Sequence, residues 1–269
     1  MRFVKMQALG NDYVYVDMFN ERLPEDPATL AVKLSDRHTG IGADGLILIE
    51  PSDTCDVRMR MFNSDGSEGS MCGNGIRCVG KYAYDSGLCR KDAIKVETAS
   101  GVKELKLSTE GGICTGARVD MGIARLDADV ELSAACVKWR LKKVSMGNPH
   151  AVCFLDELPD DSLFFAAGPE LERNAAFENG ANIEFCKVVS RTRMEVRVWE
   201  RGSGETLACG TGACAAAVAG FVRGLTEDAC VVKMPGGELN IEIDNDMRVY
   251  MTGPAELCFT GIWPGDIAR

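Results

Sequence analysis

The feature that most constrains this chain is a repeat of itself. In its 269 residues, Arg60 to Gly75 (RMFNSDGSEGSMCGNG) aligns without a gap on Arg197 to Gly212 (RVWERGSGETLACGTG), an offset of 209 − 72 = 137. The same offset carries Lys5, Gly10 and Asn11 onto Lys142, Gly147 and Asn148. Over positions 5–16 and 58–75 there are 3 + 5 = 8 identities in 12 + 18 = 30, where composition alone gives about two. The matches fall on Gly, Asn, Cys and charged residues, which hydrophobic patterning does not explain. The chain therefore reads as a duplicated domain. The first half is expected over residues 1–116 and the second over 117–256, with 257–269 returning to the first.

The local patterns agree between the halves. Val14–Asp17 and Ala151–Phe154 read as strands after a Gly-Asn turn, and Val57–Phe62 and Met194–Trp199 alternate as strands with one buried face. A Gly/Ser-rich loop follows in each half, then Cys-Gly-x-Gly, then small and aliphatic residues suited to a packed helix. Those helices are expected near Gly75–Asp85 and Gly212–Val222, with Gly87 and Gly224 just past their ends, where a left-handed cap favours glycine. Further strands read at Leu46–Glu50, Ile94–Thr98, Glu104–Leu107, Arg140–Val144, Glu184–Val189 and Leu239–Ile243. Many strands with one prominent helix per half is an α+β arrangement.

Composition narrows the function. Lys plus Arg number 30 against 40 Asp plus Glu, a formal charge of −10. That argues against a nucleic-acid binder, which needs a basic face, but does not repel a zwitterionic metabolite. The longest apolar run, Ala213 to Val222, is too short to span a bilayer, and the N-terminus lacks the hydrophobic block of a signal peptide. The twelve cysteines are dispersed, with no CxxC and only two histidines, His38 and His150. This predicts a reduced cytoplasmic protein with mostly buried thiols and no metal site. Gly40-Ile-Gly-Ala-Asp-Gly45 satisfies G-x-G-x-x-G but precedes a strand instead of a helix, so it is not read as a dinucleotide site.

Each Cys-Gly-x-Gly puts a thiol at a helix start, beside glycines that let a ligand reach the backbone. A helix start favours a nearby anion and eases loss of the thiol proton. Two such thiols on opposite sides of one carbon could remove a proton from one face and deliver one to the other. That inverts a stereocentre, one cysteine acting as thiolate base and the other as thiol acid.

The segments MGNPHAV, DRHTGIGADGL, MRMFNSDGSEGSMCGNGIRC and RVWERGSGETLACGTGACAAAVA resemble diaminopimelate epimerase, the pyridoxal-phosphate-independent two-cysteine racemase family. The resemblance runs from Phe3 to about Gly261. It implies two pseudo-symmetric halves, each a strand-rich barrel or roll around a central helix, with the active site in the cleft between them. It implies interconversion of LL- and meso-2,6-diaminopimelate for lysine and peptidoglycan precursors, with no cofactor and a homodimer as the expected assembly.

Carried over by motif, the resemblance makes Cys72 and Cys209 the base and acid pair, with His150 and Glu200 tuning the thiols. Asn11, Asn63, Asn148, Asn182, Glu200 and Arg201 match substrate contacts, and Asp44 contacts substrate in some members. Gly73, Asn74, Gly210 and Thr211 form the carboxylate-binding turns. The tail from Trp263 to Arg269 matches the family poorly, which leaves the dimer contact open. Two rival readings remain. One is a racemase of another amino acid on the same scaffold; Arg201 discriminates it, since a second substrate carboxylate needs a cation. The other is a thiol redox or metal protein using Cys72, Cys78, Cys209 and Cys214, which the ligand spacing supports poorly.

Overall fold

The computed structural model describes residues 1–264; the expected tail segment 265–269 lies outside the described residues. The described chain divides into two compact units, 1–119 with 253–264, and 120–252, the two limits falling inside the strands Ile113–Ile123 and Arg248–Pro254. The division expected from the repeat differs from these limits by three residues at the first crossing (119 − 116) and four at the second (256 − 252).

In the first unit the chain forms β1 (Arg2–Ala8), β2 (Asn11–Asp17), α1 (Pro27–Ser35), β3 (Gly45–Glu50), β4 (Val57–Asn63), β5 (Glu68–Gly69), α2 (Gly73–Asp85), β6 (Ala93–Thr98), β7 (Gly101–Glu110) and β8 (Ile113–Ile123). The second unit follows with β9 (Arg125–Ala134), β10 (Val137–Ser145), β11 (Pro149–Phe154), α3 (Asp161–Glu172), β12 (Asn182–Ser190), β13 (Arg193–Glu200), β14 (Gly204–Thr206), α4 (Gly210–Val222), β15 (Ala229–Met234), β16 (Gly237–Ile243) and β17 (Arg248–Pro254). The chain then returns as β18 (Glu256–Ile262), which pairs antiparallel with β1.

Both units use one pairing scheme. In the first the strand order is β18-β1-β2-β3-β4-β6-β7-β8, with β2–β3 and β4–β6 parallel and the other pairs antiparallel. In the second it is β9-β10-β11-β12-β13-β15-β16-β17, with β11–β12 and β13–β15 parallel. Register repeats as well as order: Tyr13 lies opposite Gly45, and 137 residues on His150 lies opposite Asn182. The repeated Arg and Glu identities acquire a physical meaning here. Arg60 pairs with Glu68 at 2.8 Å and Arg197 with Glu205 at 2.7 Å, each clipping the short hairpin that leads to a cysteine.

In each unit the sheet curls around one helix: α2 packs on β1, β2, β4, β6 and β7, and α4 on β10 to β13, β15 and β16. α4 is apolar on every face and buried from Gly212 to Gly220, as a helix inside a sheet must be. α2 solves the same burial differently. Its Arg77 is fully buried and donates to the Gly73 carbonyl, Asn74 Oδ1 and the Pro254 carbonyl at 3.0–3.1 Å.

One prominent helix per half was expected, and each unit carries a second, less legible one. α1 and α3, again 137 residues apart over their common length, cover the outer face of the sheet. Asp26 and Asp160 cap them by accepting from the Thr29 and Leu163 amides. Leu30, Ala31 and Leu34 of α1 pack on Val14, Val16, Leu46 and Phe62. Phe164, Ala167 and Leu171 of α3 pack on Trp139, Leu141, Ile183 and Phe185. Nine and twelve residues are short for a legible helical period, and Gly168-Pro169 reads as a break. In the structure that glycine is required, because a Cβ there would lie 2.6 Å from the Trp199 ring.

The glycines of the G-x-G-x-x-G segment also have a packing explanation. A Cβ on Gly40 would lie 2.2 Å from the Lys33 carbonyl oxygen, and one on Gly45 2.1 Å from that of Phe62. They let the loop after α1 press against the helix and β4.

Phe164 is fully buried among aromatic rings, so Phe164→Ala is expected to cost about 3–5 kcal/mol, read as a lowered midpoint in urea denaturation. A loss below about 1 kcal/mol would show that α3 does not anchor this layer.

Candidate active site

The helices α2 and α4 begin two residues earlier than expected, which places Cys72 and Cys209 at their N-caps. Each cysteine has extended backbone, and each sulfur accepts the amide of the residue three positions on, Gly75 or Gly212, at 3.3 Å. Sulfur here does what a serine oxygen does in an ordinary cap. The third residue is glycine in both units, where a Cβ would crowd the side-chain ends of Ile47 (Cδ1, 2.7 Å) at Gly75 and Glu184 (Oε1, 2.9 Å) at Gly212.

In the first unit Cys72 Sγ donates to Asn11 Oδ1 at 3.3 Å. The other end of that amide, Nδ2, donates to Asp44 Oδ2 at 2.8 Å. Asp44 also accepts the Asp12 amide at 3.1 Å and pairs with Arg37 at 3.0 Å. Asn11 is thus oriented by a carboxylate behind it, leaving its carbonyl toward the thiol. Burial, with Cys72 and Asp44 nearby, pushes the Tyr13 phenol above its ordinary range. Asn63 lies on the neighbouring hairpin and donates to Ser67 Oγ at 2.9 Å.

The second unit carries the same turn with different neighbours. His150 and Glu184 are buried side by side, Nδ1 to Oε1 at 2.6 Å. His150 Nε2 faces Asn148 Oδ1 at 3.0 Å, and Asn148 Nδ2 donates to Thr211 Oγ1 at 3.3 Å. Thr211 Oγ1 lies 3.6 Å from Cys209 Sγ. Glu200 accepts the Thr206 hydroxyl and also faces Cys209, and burial raises its carboxyl above the ordinary range. Burial, then Glu200 and Glu184, push the Cys209 thiol well up, while the Thr211 hydroxyl and Gly212 amide act against that rise. Asn182 ties two backbone segments together, accepting the Arg201 amide at 2.8 Å and donating to the Pro149 carbonyl at 3.2 Å. Arg201 is exposed, with its guanidinium on the Asn179 carbonyl at 3.1 Å.

The first unit thus gathers Cys72, Gly73, Asn74, Asn11 and Asp44 around one turn. The second gathers Cys209, Gly210, Thr211, Asn148, His150 and Glu200. Sequence reasoning missed Glu184 and Tyr13. Glu184 could have been found as the one charge in the strand segment Ala181 to Cys186, flanked by Ile183 and Phe185, at the repeat position of Ile47.

The diaminopimelate epimerase family profile matches residues 3–126 and 143–258. The chain belongs to the diaminopimelate epimerase family. Curated diaminopimelate epimerases similar to it include one from Desulfovibrio desulfuricans, 50% identical over 281 residues and covering 97% of each chain. Another, from Acetivibrio thermocellus, is 48% identical over 280 residues, covering 97% of this chain and 98% of the relative. Among solved structures, a probable proline racemase from Agrobacterium radiobacter aligns with TM-score 0.75 at 15% identity, covering 98% of this chain and 93% of that one. A hydroxyproline epimerase from Agrobacterium vitis aligns with TM-score 0.70 at 14% identity, covering 97% and 91%. These two share the fold of this diaminopimelate epimerase family member.

Two outcomes follow from the site's protonation. The Glu200 proton is held more tightly in the folded protein than at the ordinary 4.5. It therefore stabilises the fold below that pH, and the contribution is lost as pH rises through the elevated folded value. Glu200→Gln, which resembles the protonated form, should gain stability relative to the native protein between pH 4.5 and 8 in paired urea denaturation. A gap that narrows instead would contradict the shift. Cys136 is exposed, whereas Cys153 and Cys186 are 1% and 0% exposed against 6% for Cys209, and burial pushes Cys153 up to about 12 and Cys186 well above its ordinary value. Iodoacetamide at pH 8 should modify Cys136 in the folded protein, and Cys153 and Cys186 only after unfolding, as read by peptide mass spectrometry.

Proposed function

We propose that this protein interconverts LL- and meso-2,6-diaminopimelate by proton exchange at the α-carbon, with Cys72 and Cys209 alternating as base and acid. The observation that carries the reading is the duplicated thiol cap: the same residue, at the same backbone position, at the mouth of each unit's central helix. Identity near 50% to diaminopimelate epimerases over nearly the whole chain supports this substrate over another amino acid.

The chemistry follows from the residues. One thiolate removes the α-hydrogen while the opposite thiol delivers a proton to the other face, and reversal swaps the roles. The glycine-flanked helix starts at Gly73/Asn74 and Gly210/Thr211 receive the α-carboxylate and stabilise the charge that develops beside it. His150 and Glu200 tune the second thiol. Asn11, Asn63, Asn148 and Asn182 shape the polar surface for the substrate's ends, Asp44 holds Asn11 in place, and Arg201 supplies a cation for the distal carboxylate. The reading requires both sulfurs to reach one α-carbon, and it needs no pyridoxal phosphate or metal.

Lysine and peptidoglycan precursor synthesis, a cytoplasmic location and a homodimer belong to the same proposal. No helix of the described residues is long and apolar enough to cross a membrane.

Incubation with LL-diaminopimelate in D2O should place deuterium at the α-carbon along with formation of the meso isomer. Cys72→Ser and Cys209→Ser should each lower kcat/KM by about 10²–10⁴; either variant within threefold of the native rate would overturn the two-base assignment. Arg201→Ala should raise KM more than it lowers kcat, and an unchanged KM would favour a substrate with one carboxylate.

A further inference from the structure

The buried carboxyl of Glu184 has no part in the proposed proton exchange, yet it begins a hydrogen-bonded line that ends on a reacting sulfur. Its Oε1 meets His150 Nδ1 at 2.6 Å. His150 Nε2 meets Asn148 Oδ1 at 3.0 Å, Asn148 Nδ2 meets Thr211 Oγ1 at 3.3 Å, and Thr211 Oγ1 lies 3.6 Å from Cys209 Sγ. His150 and Glu184 are 1% and 0% exposed. We propose that Glu184 is a positioning residue for Cys209, acting through His150, Asn148 and Thr211 to aim the Thr211 hydroxyl proton at the Cys209 sulfur.

The polarity of the line supports this. Asn148 Oδ1 bears no hydrogen, so its 3.0 Å contact makes Nε2 the donor, and one proton lies between Nδ1 and Glu184 Oε1 on the other side of the ring. The amide's opposite end is then a donor, and it points at Thr211 Oγ1. With its oxygen accepting from Asn148, the Thr211 hydroxyl has its proton left for the sulfur. A donor to sulfur favours the thiolate, which Cys209 must become whenever it acts as base. The first unit has no counterpart: Ile47 and Tyr13 stand at the repeat positions of Glu184 and His150, and Asn11 turns its carbonyl directly to Cys72.

The groups facing this line are Cys209 from α4, Glu200 from β13, and His150 and Cys153 from β11, with Cys186 on Glu184's own strand. Glu184 is also a nearby acid that opposes ionisation of Cys209. A role as mere charge and a role as orienting group therefore predict different things. Glu184→Gln removes the charge but keeps an N–H for Nδ1, while Glu184→Ile, the residue at position 47, removes both.

The proposal rests on the two-cysteine reading above, and its experiment separates the two. In the full chain at pH 8, the rate of iodoacetamide modification of Cys209 is measured by peptide mass spectrometry against Cys72 in the same molecules. Cys209 in Glu184→Ile should react about tenfold more slowly than in Glu184→Gln, a difference of about one pKa unit, and kcat/KM for diaminopimelate should fall in the same order. On a Thr211→Val background the two substitutions should give equal Cys209 rates, because the line is already cut. Equal rates of Gln and Ile on the native background would overturn the proposal, as would a tenfold gap that survives Thr211→Val. Should Glu184→Ile fail to fold, Thr211→Val alone must slow Cys209 by about fivefold or more, and an unchanged rate would overturn it. Native protein that does not turn over diaminopimelate would sink the functional reading while leaving the Cys209 rates to judge Glu184.

Discussion

The structure of each unit turns on a sulfur atom used as a helix cap. An N-cap side chain has to accept an amide from the first turn, and here the cysteine thiol does so at 3.3 Å in both units. Sulfur is larger than oxygen, and the donor residue of each turn is a glycine, which leaves room for the side chain packed behind it. At Gly75 that side chain is Ile47 and at Gly212 it is Glu184. The sulfur is therefore fixed by the same hydrogen bond that starts the helix. The helix in turn is fixed by the sheet that curls around it.

Duplication kept this geometry and changed its electrostatics. Three positions around the turn are uncharged or weakly acidic in the first unit, Tyr13, Ile47 and Asn63. Their counterparts in the second are His150, Glu184 and Glu200. Inside the helix the difference runs the other way, since the buried Arg77 of α2 corresponds to Cys214 of α4. One unit buries a cation within its helix, held by carbonyl and amide oxygens, while the other buries acids around it. The two thiols thus sit on matching backbones in unlike fields, so their acidities need not match. Burial disfavours a thiolate, and an ionised carboxylate beside it would raise the thiol further. In the second unit the Thr211 hydroxyl and the Gly212 amide act against that rise at Cys209.

How much of this was legible in the sequence depended on which residues carried it. The offset of 137 holds for α2 and α4 over all thirteen residues, and for the register of the parallel pairs at Tyr13 and His150. Glycine, cysteine and paired charges preserved the signal because each answers a local geometric demand. The helices α1 and α3 were hidden, being short and, in α3, interrupted by Gly168-Pro169. Arg77 was hidden for a different reason, because burial of a charge is satisfied by oxygens brought from elsewhere, among them the Pro254 carbonyl at 3.1 Å. Glu184 was readable only as an oddity, an acid amid apolar strand residues.

The sequence by itself determined the repeat, the α+β class and the two thiol turns, because those follow from spacing and from residue types with narrow conformational uses. Tertiary structure alone decided that Asp44 stands behind Asn11 and that Glu184 stands behind His150. Those contacts join residues more than thirty positions apart. Their hydrogen-bond directions depend on which atoms the parallel strands bring into register, and neither composition nor local pattern encodes that.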